Sequence, residues 1–295
     1  MIKTDPSPLT SRIQLVAAAI LFSTGGAAVK ACTLTSWQIA GFRSAVAALS
    51  IFFMLPASRR HWNWRTLAVG AFYACMLISF VNANKLTTAA SSIYLQATAP
   101  FYVLLLAPWL LKERVRSRDI AFMLAMALGM LLLFTGREAA TATAPNPFLG
   151  NIYGASSGLL WGCTLMGLRW LGRGKSSENS AAPAVFLGNI IAFVVCLPAA
   201  LPVGQSRPID WLLIVGLGVF QIGLAYVFLT WGIQRVPVLD ASLLLLVEPM
   251  LNPILAWLVH GESPGVWSIA GGSVILISTI LKTWLDRRPA GFAVR

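Results

Sequence analysis

Long apolar stretches separated by short polar connections run through this whole chain of 295 residues. A membrane-crossing helix needs about 20 mostly apolar residues, with a range of about 17–25. Because hydrocarbon offers no water to backbone N–H and C=O groups, segments that cross it must be helices or closed barrels. We identify ten helical spans, at roughly 12–30, 36–56, 65–83, 88–111, 119–136, 149–170, 182–203, 211–234, 237–259 and 266–285. The sequence therefore predicts an all-α integral membrane protein.

The composition excludes most soluble classes. Only 11% of the residues are charged, against about 25% in soluble domains. The net charge of +12 comes from short clusters between apolar runs, and not from a single basic patch, so nucleic acid is not an expected partner. The four cysteines are far apart: Cys32, Cys75, Cys163 and Cys196. His61 and His260 lie at loop ends, so we expect no disulfide framework, metal site or cofactor.

The distribution of Lys and Arg predicts the orientation of the spans, because cytoplasmic loops carry an excess of both residues. With the N-terminus inside, the outer segments hold Lys30, Lys85, Arg137 and Arg207, and Arg43 lies within a span. The other 17 of the 22 basic residues fall in inner segments. Both termini are therefore predicted to be cytoplasmic.

The chain contains an internal duplication at an offset of 149 residues. TTAASSIYLQATAP (87–100) aligns with VPVLDASLLLLVEP (236–249), and both end in proline. Counting those prolines, the alignment gives six identities in 22 positions; the others pair Leu106 with Leu255, Ala107 with Ala256, Glu113 with Glu262, Ile120 with Ile269 and Ala121 with Ala270. Offsets near 148 and 139 pair Gly70 with Gly218, Phe72 with Phe220, Phe80 with Phe228, and LFSTGGAAVK (21–30) with LWGCTLMGLR (160–169).

The duplication predicts two five-helix repeats, residues 1–140 with helices one to five and residues 141–295 with helices six to ten. An odd number of helices makes the second copy enter the membrane from the opposite side. Inverted repeats of this kind are typical of secondary transporters, which bind substrate between the repeats and work by alternating access. We therefore expect a central cavity between the two halves.

Glu248 is the one acidic residue deep within a span, in the run DASLLLLVEPMLNP. An intramembrane carboxylate is costly and points to function, such as carrying a proton or binding an ammonium group. The alternative is structural, a carboxyl that stabilises backbone freed by Pro249 and Pro253. Both prolines, and Pro100 at the equivalent place in helix four, are predicted to kink or hinge their helices.

Arg43 is the one cation well inside a span. It either meets a substrate carboxylate, or snorkels to the outer interface or pairs with a carbonyl. Polar or amphipathic aromatic side chains at mid-span are further candidates for the cavity wall, because lipid-facing ones are expected at the interfaces. We select these by depth: Tyr94, Gln96, Trp161, Tyr226, Ser79 and Asn82.

The pattern resembles the drug/metabolite transporter superfamily of the EamA type over essentially the whole chain. The resemblance rests on Pro100 with Glu113 in APFYVLLLAPWLLKE, Glu248-Pro249 with Glu262 in EPMLNPILAWLVHGE, and LLWG at 159–162. Lys112 departs from the family, which often has glycine before the first of these glutamates. The resemblance implies export or exchange of small metabolites across a bacterial inner membrane, and it is nearest to the YddG-type amino acid exporters.

The expected activity is secondary transport of small amphipathic metabolites, with amino acids first. Few fixed charges argue against phosphates, which usually require several cations. The first alternative is export of lipophilic cations with Glu248 as counter-ion. A remote alternative is an intramembrane enzyme acting on lipid, but one carboxylate without a partner acid, base or metal does not suggest catalysis. The expected partners are a small-molecule substrate and the lipid bilayer; Glu248 offers a group for proton coupling, and a monomer is compatible with the sequence.

A reporter on the C-terminus tests the orientation and the inverted repeat together. Alkaline phosphatase fused after Arg295 is expected to be inactive in cells, because its disulfides form only outside the cytoplasm. The same enzyme fused after Gly204, in a predicted outer connection, is the control and should be active. Activity from the Arg295 fusion would contradict both predictions.

Overall fold

The computed structural model describes residues 8–60, 62–110, 116–136, 140–172, 181–233 and 236–287. Regular structure in these ranges is helical, apart from one isolated bridge between Thr141 and Ala144. The α-helices are α1 Pro8–Ala31, α2 Ser36–Met54, α3 Trp64–Leu86, α4 Ala89–Gln96, α5 Ala99–Leu110, α6 Ser117–Thr135, α7 Pro147–Gly172, α8 Ala181–Ala200, α9 Pro208–Gly216, α10 Ala225–Ile233, α11 Val238–Leu245, α12 Val247–His260 and α13 Val266–Arg287. The predicted all-helical membrane fold is confirmed at this level.

Nine segments in the described ranges are long and apolar enough to cross a membrane. They are Leu9–Ala31, Ser36–Met54, Trp64–Leu86, Ala89–Leu106, Ser117–Thr135, Ala181–Ala200, Pro208–Ile233, Asp240–His260 and Val266–Asp286. The expected sixth span is α7, a continuous helix of 26 residues, but it is not among the nine. The count of ten, the inverted repeat and the side of the termini therefore stay predictions.

A stripe of glycines lies along one face of α7. Gly150, Gly154, Gly158 and Gly162 are spaced four residues apart, so they share one face. A Cβ at Gly158 would lie 2.5 Å from the carbonyl oxygen of Leu95, and one at Gly162 would lie 3.1 Å from that of Ala99. Small residues of this kind let membrane helices approach closely. The stripe therefore seats α7 directly on α4 and α5.

Helices four and nine of the predicted set are both interrupted, and at equivalent positions. The first consists of α4 and α5 with a break at Ala97 and Thr98, and the second of α11 and α12 with a break at Leu246. Ala97 and Leu246 are 149 residues apart, the offset of the internal duplication. Each break lies just before a proline, Pro100 or Pro249, which has no N–H to donate to the carbonyl four residues earlier.

A π-helical segment, Leu217–Leu224, joins α9 to α10 within one span. Its wider turn brings two glycines against α2: a Cβ at Gly218 would meet Val46 and the carbonyl oxygen of Arg43, and one at Gly223 would meet Ser50. Segments of π-helix are rare and occur frequently at functional sites. Here the segment fixes the distance between α2 and the centre of the molecule.

Replacing Gly158 with alanine tests the close contact between α7 and α4. The added methyl group overlaps the Leu95 carbonyl oxygen, so we expect a loss of about 1–3 kcal/mol in stability, as for other overpacked sites. Gly216→Ala is the matched control, because no atom lies within 4 Å of a Cβ there and alanine favours helix. Thermal unfolding in detergent should separate the two variants; equal melting temperatures would argue against this helix contact.

Candidate functional site

A cavity of about 280 Å³ lies at the centre of the described helices. This is close to the lower end of the range for small-molecule sites, about 300–1,000 Å³. Its wall is mostly apolar and aromatic, with residues from α1, α2, α3, the two broken helices, α7, the π-helical segment, α10 and α13. A small amphipathic molecule matches this combination of size and lining.

The two broken helices contribute equivalent positions to the wall. From α4, α5 and the break between them these are Ile93, Gln96, Ala97, Ala99 and Pro100; from α11, α12 and their break they are Ser242, Leu245, Leu246, Glu248 and Pro249. Each member of the second set lies 149 residues after its counterpart. Two further pairs follow the other offsets, Phe22 with Trp161 and Tyr73 with Gln221. The cavity is thus lined by corresponding parts of the two halves of the chain.

Four aromatic side chains form a connected group in the wall. The Tyr73 and Tyr226 rings meet edge to face, with centroids 5.8 Å apart. Phe22 packs on Tyr226 at 5.4 Å, and Trp161 lies 6.4 Å from Tyr73. Edge-to-face pairs of this kind are favourable beyond the area that they bury. They give the cavity a rigid aromatic surface.

Two residues of opposite charge line the same cavity, Arg43 on α2 and Glu248 on α12. Glu248 lies in the first turn of α12, where the positive end of a helix dipole stabilises a carboxylate. Arg43 is 1% exposed, so its guanidinium does not reach the outer interface. Both the functional and the structural interpretation of Glu248 stay open.

The residues selected from the sequence separate into two groups. Those in the cavity wall are Arg43, Gln96, Trp161, Tyr226, Glu248, Pro100 and Pro249. Gln96 donates its amide to Ser157 Oγ at 2.9 Å, which holds it against α7. Their role in substrate binding stays a prediction, since no ligand contact tests it.

Four other selected residues lie outside the wall. The Tyr94 ring packs where a side chain on Gly272 of α13 would stand. Asn82 accepts a hydrogen bond from Ser36 Oγ at 2.7 Å and so joins α3 to the start of α2. Ser79 is also on α3 and is not part of the wall. Pro253 lies inside α12, which continues through it.

The wall residues that were not selected from the sequence include Phe22, Tyr73 and Gln221. Tyr73 is almost completely buried, and Gln221 belongs to the π-helical segment. The offset of 148 residues pairs these two positions, so the duplication itself contained a signal for them.

One face of α1 connects the cavity to the end of the bundle where α1 stops, at Ala31. Phe22 lines the cavity, and one turn further Gly26 packs so closely that a Cβ there would meet Asn252 and Ala89. Another turn further stands Lys30. These contacts bring α1, α4 and α12 together between the cavity and Lys30.

Lys30 and Glu262 form a buried ion pair at this end of the bundle, with Nζ and Oε2 2.8 Å apart and side chains 2% and 3% exposed. Lys30 also donates to the carbonyl oxygens of Thr87 and Thr143 at 2.8 and 2.5 Å. The Glu262 Oε1 accepts from the amide of Ala89 at 2.6 Å. The pair therefore ties α1 to the start of α4, to the segment before α7 and to the segment after α12.

Comparison with known proteins adds an independent finding. The sequence profile of the EamA-like transporter family matches residues 10–135 and 148–284. Together the two ranges cover most of the chain, and the first ends where α6 ends while the second begins in the first turn of α7.

Individual relatives are similar at low identity. An aromatic amino acid exporter YddG from Ancylobacter novellus is 23% identical over 269 residues, covering 90% of this chain and 91% of the relative. A pseudopaline exporter CntI from Pseudomonas aeruginosa is 26% identical over 275 residues, covering 90% and 93%. A solved crystal structure matches with a TM-score of 0.64 at 19% identity, covering 96% of this chain and 99% of that one. At this identity the last match shows the fold alone.

A double-mutant cycle tests the buried ion pair. Lys30→Met and Glu262→Gln each leave one buried charge unpaired, which costs about 3–5 kcal/mol. The double variant should lose much less than the sum of the two single losses, measured by thermal unfolding in detergent. The exposed pair Arg12–Asp240, with side chains 54% and 27% exposed, is the control: its coupling should stay below about 1 kcal/mol. Additive losses at Lys30 and Glu262 would contradict the pair.

Proposed function

Because the chain belongs to the EamA-like transporter family, we propose that it exports or exchanges small amphipathic metabolites, amino acids first, across a bacterial inner membrane. The family consists of transporters, so the enzyme considered from the sequence has no support. The chain is accordingly a multi-pass membrane protein, in keeping with its nine long apolar helical segments among the described residues.

The observation that carries the proposal is the cavity wall. It combines an aromatic surface with one basic and one acidic side chain, Arg43 and Glu248. A zwitterion with an apolar side chain has a group to match each of these: a carboxylate for Arg43, an ammonium group for Glu248 and an apolar part for the aromatic surface. Amino acids are the simplest metabolites of that chemistry.

The names of two relatives agree with this class. One is an aromatic amino acid exporter and the other exports pseudopaline. Both are less than 30% identical to this chain, so the names support the class of small metabolite and not a particular substrate.

The mechanism in this proposal is alternating access between two inverted five-helix repeats, residues 1–140 and 141–295. Three observations support it: two ranges match one family, the breaks at Ala97 and Leu246 are 149 residues apart, and equivalent positions line the cavity. Discontinuous helices at a central site are typical of secondary transporters. Opening to the outside would separate Lys30 from Glu262, so this ion pair would close the outer gate while the cavity faces inward.

Export of lipophilic cations is the second candidate, and Glu248 is the observation that favours it. A carboxylate in an apolar cavity is a natural counter-ion for an organic cation. In that case a substrate needs no carboxylate. Glu248 is also the group that would carry a proton if transport is coupled to one.

Counterflow in proteoliposomes distinguishes the two candidates. Vesicles loaded with unlabelled solute are mixed with a labelled neutral amino acid panel or with labelled tetraphenylphosphonium, and uptake above that of protein-free vesicles is measured. We expect amino acids to exchange, with aromatic ones favoured by the aromatic wall. Exchange of the cation alone would contradict the amino acid proposal, and no exchange of either would contradict both.

Glu248→Gln refines the outcome in the same assay. If the carboxylate binds a cationic group or a proton, this variant should lose transport or its pH dependence. Transport with unchanged pH dependence would assign Glu248 to the structural role at the start of α12.

A further inference from the structure

Arg43 is a buried cation without a hydrogen-bonding partner. Its side chain belongs to the cavity wall, and none of Nε, Nη1 and Nη2 has a partner among the described residues. A buried charge that is neither paired nor hydrogen-bonded is strongly unfavourable. Such a group is retained where something outside the chain completes it.

The groups around Arg43 do not supply the missing negative charge. Its titratable neighbours are Tyr73 on α3 and Cys196 on α8, and both side-chain types are ordinarily neutral at pH 7. Glu248 lines the same cavity, but its carboxyl group accepts no hydrogen bond from Arg43. The Tyr73 and Tyr226 rings meet edge to face in the same wall.

We infer that Arg43 is the subsite for a substrate carboxylate, and that the transported class consists of amphipathic carboxylates. The planar guanidinium donates two parallel hydrogen bonds to a carboxylate, a geometry that a point charge does not reproduce. A bound carboxylate supplies both the missing acceptors and the missing charge. This inference rests on the proposed transport function and specifies what its substrate must contain.

The placement of the two charges also orients the substrate. The C-terminal end of α12 lies beside that of α1, where the His260 ring contacts the Ala27 carbonyl oxygen at 2.8 Å, and α2 begins shortly after α1. Measured from this end, Arg43 is seven residues into α2, about 10 Å, and Glu248 is twelve residues into α12, about 18 Å. A zwitterion would lie with its carboxylate toward the Lys30–Glu262 end and its ammonium group toward Glu248.

The test uses four probes that share a phenyl ring and differ in charge: L-phenylalanine, L-phenylalaninamide, 3-phenylpropionate and phenethylamine. Each probe competes with labelled L-phenylalanine in counterflow, and each is also tested for thermal stabilisation of the detergent-purified wild-type protein. We expect the two carboxylates to bind, and the amide to bind about tenfold or more weakly than L-phenylalanine. Equal binding of L-phenylalanine and its amide would overturn the inference.

Arg43→Gln supplies the second measurement, with Arg60→Gln as an exposed control. Arg43→Gln should weaken binding of both carboxylates about tenfold or more and leave phenethylamine binding unchanged, so the preference for a carboxylate disappears. Arg43→Lys should recover part of it. Equal weakening of all four probes in a protein that elutes and melts like the wild type would overturn the inference.

The same probes separate this inference from the proposed function. If only 3-phenylpropionate binds and no amino acid exchanges, the amino acid proposal fails while the carboxylate subsite stands. If amino acids exchange but the amide does so equally well, transport stands and the subsite fails. If only the two cationic probes bind, both fail and cation export is favoured.

Discussion

Every backbone N–H and C=O group within hydrocarbon needs a hydrogen-bonding partner in the protein, and this constraint governs the molecule. It keeps the described chain helical and limits interruptions to places that face protein or a cavity. The two breaks, at Ala97 and Leu246, meet that condition. Pro100 and Pro249 free the carbonyls of residues 96 and 245, and the cavity wall is built around those residues. The site is therefore a consequence of where the backbone could be broken.

The sequence predicts how deep a residue lies within a span much better than it predicts the direction in which its side chain points. The apolar stretches located the helices, the prolines located the breaks, and the duplication related them. Selection by depth alone failed to distinguish Tyr94 from Gln96, because residues two positions apart on a helix point about 200° apart. Gln96 therefore lines the cavity and Tyr94 packs toward α13. Lipid and protein interior are both apolar, so hydrophobicity does not identify the inner face of a membrane helix.

Pairing between distant residues is the other part that the sequence did not reveal. From the sequence, Lys30 was assigned to a connection between spans and Glu262 to a repeated motif, yet they form a buried pair across 232 positions of the chain. For Arg43 the sequence favoured snorkelling or pairing with a carbonyl, but its side chain is buried and its nitrogens have no partner among the described residues. The glycine face of α7 is another example, because its contacts with α4 and α5 are not evident from hydrophobicity. In each case the tertiary neighbours decide the role of the side chain.

The equivalent wall positions of the two halves are not identical in chemistry. Ala99 corresponds to Glu248, and Tyr73 to Gln221. A cavity with two identical halves would bind an asymmetric molecule equally well in two opposite orientations. Because the side chains differ at these few positions, the two binding directions are no longer equivalent. The paired backbone breaks are nevertheless retained. In a cavity of this kind, replacing the side chain at one of two equivalent wall positions would be enough to reverse the orientation of the bound substrate.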